Sequence, residues 1–168
     1  MNNKIKRTSD GFTLVELLVY MAIIGFVLAI IAVFTVEIIK SNRKAEMIRE
    51  TQENARLIIQ RMSKEIRWAN SISSFSSTDI TLDTASGPVR FFLGGPDADR
   101  FFIEEKGVQR ELTSDKVKVT NLAFTRMEPE NAPNSIQINV TVENRIAVAK
   151  GEYIAVTSLQ SSASVREN

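Results

Sequence analysis

Cysteine and histidine are both missing from the 168 residues of this chain. Their absence excludes disulfide bonds, Ser-His-Asp and Cys-His nucleophilic systems, and the usual Cys/His zinc sites. Histidine is also the commonest general base, and no two of the acids here fall in a recognisable catalytic pattern. We therefore expect no catalytic residues, no metal and no cofactor, and we predict that the chain is not an enzyme.

Helix-breaking residues are scarce in the first half of the chain. No proline precedes Pro88, and no glycine lies between Gly25 and Gly87. Proline and glycine are the residues that most strongly interrupt helices, so this half carries no stop signal. We predict one helix from about Phe12 to Asn70.

Charged residues are also missing from Leu17 to Val36, a run of 20 mostly apolar residues. A helix of that length is about 30 Å long, which matches the hydrocarbon core of a bilayer. We predict a transmembrane helix over residues 12–36, in contact with membrane lipid.

Glu16 lies at the start of this run, where an ionised carboxylate costs about 2.5–3.5 kcal/mol. An acid inside a membrane is by default a functional residue with a positive partner. A cut after Gly11 would place a new ammonium group on Phe12, four residues before Glu16 and on the same helix face. Processing would thus create the missing charge.

A short basic segment, residues 1–11, precedes the run and contains Lys4, Lys6 and Arg7. It is followed at fixed spacing by Gly11, Phe12-Thr13-Leu14-Val15-Glu16 and the apolar residues. This arrangement resembles the leader and cleavage/methylation motif of type IV prepilins and type II secretion pseudopilins.

The resemblance implies a role for each residue of the motif. Gly11 is the cleavage position of a membrane aspartyl peptidase, and Phe12 becomes the N-methylated first residue. Glu16 pairs with the N-terminus of a neighbouring subunit during assembly. The expected partners are the prepilin peptidase, other pilin or pseudopilin subunits and an inner-membrane assembly platform.

Two simpler interpretations compete with this one. A secretory signal peptide has an apolar region of only about 7–15 residues followed by a small-residue cleavage site. The run here is longer, and Val36 to Lys40 offers no such site. A simple signal anchor also has a basic N-terminus, but it leaves Glu16 unexplained.

The second part of the helix, residues 37–70, is predicted to be an amphipathic spine for a folded domain. Its apolar stripe follows helical spacing, and most charged residues lie off it. The predicted stripe consists of Ile38, Ser41, Ala45, Ile48, Gln52, Ala55, Ile59, Met62, Ile66 and Ala69. Trp68, near the helix end, is expected in the core.

Residues 71–160 change to a period of two, which predicts strands. Ser71 to Thr78 is expected to be an exit from the helix, and Pro129 to Pro133 a loop. A hairpin turn is predicted at Glu105-Lys106-Gly107 and a bulge near Thr120-Asn121. The predicted strands are 79–84, 88–93, 100–104, 108–112, 117–124, 135–143 and 152–159. The fold class is α+β and pilin-like, with one long helix packed on a mainly antiparallel sheet.

The polar tail, residues 161–168, is expected to be loosely ordered. It resembles the Ser/Thr-rich endings of the J-type pseudopilins of type II secretion and the W-type minor pilins of type IV pili. Leu57 to Arg67 is similar to the spine segment of the same proteins, although Glu167 interrupts the ending.

Two further groups of side chains could form sites. Asp97 and Asp99 could offer oxygens to calcium, but a solvated turn is the expected role. Four phenylalanines could stack nucleic-acid bases, although core packing is favoured. These are Phe91, Phe92, Phe101 and Phe102.

The resulting hypothesis is a minor pilin or pseudopilin in a priming or tip complex, held in the inner membrane with its C-terminal domain outside the cytoplasm. Its alternatives are a major filament subunit, a DNA-uptake pilin and a membrane-anchored protein unrelated to filaments. DNA is the least supported partner, because 21 basic residues are balanced by 20 acidic ones.

Overall fold

One long helix and a set of antiparallel strands make up the described part of the protein. The computed structural model describes residues 11–127, 135–145 and 153–165. Helix α1 spans Leu14–Trp68, and all the strands that are described follow it along the chain. The predicted α+β, pilin-like class is confirmed. The chain divides into two compact units, Met1–Arg43 and Lys44–Asn168.

The first unit contains the apolar part of α1. Every described side chain from Gly11 to Arg43 is exposed. The helix is long and apolar enough to cross a membrane. A soluble monomer rarely exposes so large a continuous apolar surface, and such surfaces mark membrane or protein contacts.

The second unit contains the spine, residues 44–68 of α1. The sequence predicted the correct side of the helix for Ala55, Met62 and Ile66, which are buried. Ala45 and Gln52 are exposed instead, so for them the prediction is wrong. The buried face also includes polar residues that the sequence did not indicate; its members are Thr51, Asn54, Ala55, Ile58, Met62, Ser63 and Ile66.

Thr51 and Asn54 are buried because each finds a polar partner on the strand side. The two hydroxyls of Thr51 and Thr157 are 2.9 Å apart. The backbone N–H of Ser114 donates to Oδ1 of Asn54 over 2.9 Å. Buried polar groups are stable where such bonds are made, which explains why polar residues lie on this face.

The strands form two antiparallel sheets in which neighbours in the sheet are also neighbours along the chain. In the first sheet the order is β1-β2-β3-β4-β5, and in the second it is β6-β7-β8. The first sheet contains β1 Ala69–Phe75, β2 Asp79–Thr84, β3 Gly87–Gly94, β4 Arg100–Glu105 and β5 Val108–Glu111. The second contains β6 Val117–Met127, β7 Ser135–Asn144 and β8 Val156–Ser164.

Both sheets contribute to one hydrophobic core with the spine. Phe91 on β3 and Phe101 on β4 are fully buried at diagonal positions of the two strands, and their rings stack with centroids 5.8 Å apart. Ile136, Ile138 and Val140 alternate along β7 toward the same core. The alternating pattern of the sequence therefore identified the buried side of these strands correctly.

The predicted hairpin turn and the predicted bulge are both confirmed. Lys106 and Gly107 join β4 to β5 with φ angles of 53° and 76°. Positive φ at both central residues is the feature of the tight turns that match strand twist. The predicted bulge also occurs, because the pairing of β6 with β7 shifts between Val119 and Asn121.

Three predictions about segment boundaries are wrong. Ser71 to Thr78 is not a simple exit, since β1 begins directly after α1 and pairs with β2. The last strand begins at Val156 and runs to Ser164, because residues 161–164 pair with β7. This part of the expected tail is therefore ordered. Pro129 to Pro133 lies outside the described residues.

Trp68 is not in the core. Its side chain is 73% exposed, because the last turn of α1 presents it on the side away from the buried face. Ala69 takes the inward position at the start of β1. A tryptophan whose surface is this exposed is available for contacts with other molecules.

Candidate processing and assembly site

The chain is not yet helical at its first described residues. Gly11 and Phe12 precede α1, and Phe12 is 74% exposed. No atom lies within 4 Å of the position that a Cβ would take on Gly11. The peptide bond between them is therefore in open, non-helical backbone, the form that a peptidase can bind.

Thr13 begins the helix. Its hydroxyl accepts a hydrogen bond from the backbone N–H of Glu16 at 3.2 Å, and its carbonyl accepts one from the N–H of Leu17. Thr13 is thus the N-cap, and Glu16 lies three residues later, as in a capping box. Glu16 is also placed where a negative charge is favoured by the helix dipole.

The carboxylate of Glu16 has a partner within its own chain. The Tyr20 hydroxyl donates to Oε1 of Glu16 over 3.1 Å. The ring of Tyr20 also meets that of Phe12 edge to face, with centroids 5.9 Å apart. Phe12, Glu16 and Tyr20 recur at intervals of four residues and form one exposed row at the helix start. No cation in the described part of the chain forms an ion pair with Glu16.

Residues 6–32 match the family described as the prokaryotic N-terminal methylation motif. The chain carries a prepilin-type N-terminal motif. The match includes Arg7, Gly11, Phe12 and Glu16 and supports a place in the type IV pilin family. No curated protein and no solved structure gives a significant match to the chain.

Within the prepilin-type motif, the structure brings Phe12 close to Tyr20 and gives Glu16 two local contacts. Lys4 and Lys6, with Arg7, lie outside the described residues. The contributions of Thr13 and Tyr20 were missed at the level of sequence. A Thr-x-x-Glu pattern and a hydroxyl four residues after an acid were the available signals.

The acidic turn considered for calcium has another role. Nη2 of Arg145 contacts Oδ1 of Asp99 at 2.9 Å, and the Asp99 carbonyl accepts a hydrogen bond from Val119 N–H. Asp99 therefore ties β6 and the residue after β7 to the turn before β4. Among the described residues, no group of three or more potential ligands could hold a metal ion.

The four phenylalanines lie on two different faces of their sheet. Phe91 and Phe101 pack in the core, as expected, whereas Phe92 and Phe102 stack on the opposite face with centroids 5.7 Å apart. For this outer pair the expectation of core packing is wrong. Successive side chains of a strand point to opposite faces, so only one member of each Phe-Phe pair can point inward.

The arginines beside the outer aromatic pair are occupied by acids. Nε of Arg90 donates to Asp79 over 3.0 Å, and this bond raises the pKa of Arg90 above its ordinary value. Arg100 donates to Glu111 over 3.0 Å. Phosphate groups would have to displace these carboxylates from the arginines before binding. The surface around Phe92 and Phe102 is therefore poorly suited to binding nucleic acid.

Proposed function

We propose that this protein is a processed subunit of a type IV pilus or of a type II secretion-like filament. The observation that carries the proposal is the prepilin-type motif at residues 6–32, joined to an apolar helix whose side chains are all exposed in the single chain. Such a helix needs a covering, which the membrane supplies before assembly and other subunits supply afterwards.

Processing is the first step. Cleavage after Gly11 removes residues 1–11 and frees the amine of Phe12, which is then methylated. The non-helical, exposed backbone at this bond supports access by a membrane peptidase. The charge made at Phe12 lies one helical turn from Glu16, and it is available to Glu16 of a neighbouring subunit.

Assembly is the second step. Leaving the lipid for a filament moves Glu16 among the helices of other subunits, where an unpaired carboxylate is costly. Pairing with the ammonium of a neighbour's Phe12 removes most of that cost. Only subunits shifted along the helix axis by the correct distance can make the pair, so the pair fixes the shift between those two neighbours.

The segments have separate tasks in this proposal. Residues 1–11 are the leader, 12–36 cross the inner membrane, and 37–70 are the spine of the C-terminal domain outside the cytoplasm. The domain has no catalytic activity of its own. We further propose a minor pilin or pseudopilin in a priming or tip complex, which is supported by the likeness of Leu57 to Arg67 to such spines.

The test is the intact mass of the protein from membranes with and without a prepilin peptidase. A chain beginning at methylated Phe12, seen only with the peptidase and absent in Gly11→Val, is the expected result. A chain that retains residues 1–11 under both conditions would overturn the proposal. Assembly is tested with Glu16→Leu, which should insert and be processed but enter filaments poorly, with Glu37→Leu as a carboxylate-removing control.

A further inference from the structure

The outward face of the spine carries two similar pairs of side chains. Glu53 and Leu57 are four residues apart, and Lys64 and Trp68 repeat that spacing eleven positions later. Eleven residues are close to three helical turns, so all four side chains lie on one face. All four are exposed, with Leu57 at 44% and Trp68 at 73%. We call this set the EL/KW stripe.

Charge is distributed unevenly along the same helix. From Glu46 to Glu53 there are three acids and one arginine, whereas from Arg56 to Arg67 there are four cations and one acid. Arg61 and Glu65, within the second segment, pair with each other and lie partly buried. Lys64 forms no ion pair in the described part of the chain. Glu46 and Glu50 pair with Lys116. The charge contrast that the outward face offers to another molecule is therefore the one between Glu53 in its first turns and Lys64 in its last.

We propose that the EL/KW stripe binds the same stripe of a second copy whose helix runs parallel and is shifted by eleven residues, about 16 Å. In that register Glu53 of one copy faces Lys64 of the other, and Leu57 faces Trp68. The proposal rests on the proposed filament function, and it adds that two copies lie next to each other in the assembly. Its shift of about 16 Å differs from the roughly 6 Å that separates Phe12 from Glu16 along a helix, so the stripe joins a different pair of neighbours from the pair that Phe12 and Glu16 join.

The parallel direction follows from the anchor, because two copies inserted in one membrane present their spines in the same orientation. Without a shift, each acid would face an acid and each lysine a lysine, and such pairs are repulsive. The eleven-residue shift replaces both repulsions with an attraction. It also covers Trp68 and Leu57, and tryptophan is among the residues that contribute most at interfaces.

The contact has little to displace. Glu53 pairs with Arg49 at 2.7 Å, but both side chains are more than half exposed, and ion pairs of this kind contribute little. Nucleic acid fits the stripe less well than a second copy. Its phosphates would meet Lys64 but also the carboxylate of Glu53, and Leu57 would gain no apolar partner.

A zero-length carbodiimide cross-link between Glu53 and Lys64 tests the contact on the full chain in assembled filaments. Within one helix the two residues are about 16 Å apart along the axis, so a product joining them comes from two copies. We expect this cross-linked peptide in the wild type, together with a blue shift of the emission of Trp68, the only tryptophan.

Charge reversal supplies the matched variants. Glu53→Lys alone and Lys64→Glu alone should each reduce copy-to-copy capture about two- to fivefold, because an exposed attraction is replaced by a repulsion of similar size. Capture is measured between two differently tagged copies. Mixing the two variants should restore it, since positions 53 and 64 of different variants carry opposite charges whichever copy is the shifted one. Lys106→Glu, an exposed lysine outside the stripe, is the control and should capture normally.

Several results would overturn the proposal. Unchanged capture in both single variants, or no recovery in the mixture, would show that the copies do not bind in the eleven-residue register. Cross-links from Lys64 to a different protein would show that the stripe binds another subunit instead of a second copy. Binding of duplex DNA that Lys64→Glu abolishes would show that the stripe binds nucleic acid. The N-terminus of each variant is sequenced in parallel. Normal processing with no copy-to-copy contact leaves the filament function standing, whereas absent processing removes that function itself.

Discussion

Asn54 is one of the polar residues that join the spine to the strand side, and its removal has a predictable cost. Its side chain is only 8% exposed. Oδ1 accepts the backbone N–H of Ser114 at 2.9 Å, while Nδ2 donates to the carbonyl of Glu50 at 2.9 Å. In Asn54→Ala the N–H of Ser114 loses its acceptor in a place that water reaches poorly.

The size of the effect follows from two opposing terms. An unsatisfied buried donor costs about 1–3 kcal/mol. Alanine is the better helix former by up to about 0.7 kcal/mol, which offsets part of the loss. We therefore expect the free energy of unfolding to fall by about 1–2 kcal/mol in Asn54→Ala.

Two control variants make the measurement specific. Gln52→Ala changes an exposed amide on the same helix and should alter stability by less than about 0.5 kcal/mol. Ser114→Ala removes the weaker hydroxyl contact at 3.4 Å but keeps the backbone N–H, so it should cost less than Asn54→Ala. Urea unfolding of the full chain in detergent, followed by circular dichroism, gives all three values. Equal losses in Asn54→Ala and Gln52→Ala would refute the reasoning.

Two further predictions concern the same domain. Phe101→Ala should lower the free energy of unfolding by about 3–5 kcal/mol because the ring is fully buried. Trp68→Ala should change the free energy of unfolding by less than about 0.5 kcal/mol, because that side chain is exposed. Equal effects of the two variants in urea titrations would contradict this prediction. Lys116 donates to Glu50 over 3.0 Å, and this bond raises the pKa of Lys116. The contribution of the bond to folding stability is therefore complete below the unfolded pKa of about 10.4, and it is lost as pH rises through the higher folded value. Stability measured against pH should therefore decline less steeply in Lys116→Gln above about pH 10, and identical curves would count against the pair.

Local patterns in the sequence predicted the elements whose structure is decided locally. The alternation along β7 identified the buried face of that strand, and Glu105-Lys106-Gly107 identified the hairpin turn between β4 and β5. The spacing of Gly11, Phe12 and Glu16 was sufficient to find the motif, because all of its parts lie within one short segment.

Features that depend on distant residues were not predictable. Thr51 and Asn54 are buried through contacts with residues 106 and 60 positions away. β1 is rich in serine, which has no strong preference for strands, and it forms because β2 offers it a partner. Trp68 is a different case, because its exposure follows from its position on the side of α1 away from the buried face, which helical spacing already indicates.

The order of the strands has a consequence for how the protein is made. Each sheet pairs strands that are consecutive in the chain, so no strand waits for one synthesised much later. Structures dominated by such short-range pairings fold quickly, because little loop entropy is lost before each contact forms. As the chain leaves the ribosome from its N-terminus, β2 can pair with β1, then β3 with β2, and so on. The domain can therefore be built in step with its own synthesis, with few long-lived unpaired edges exposed along the way.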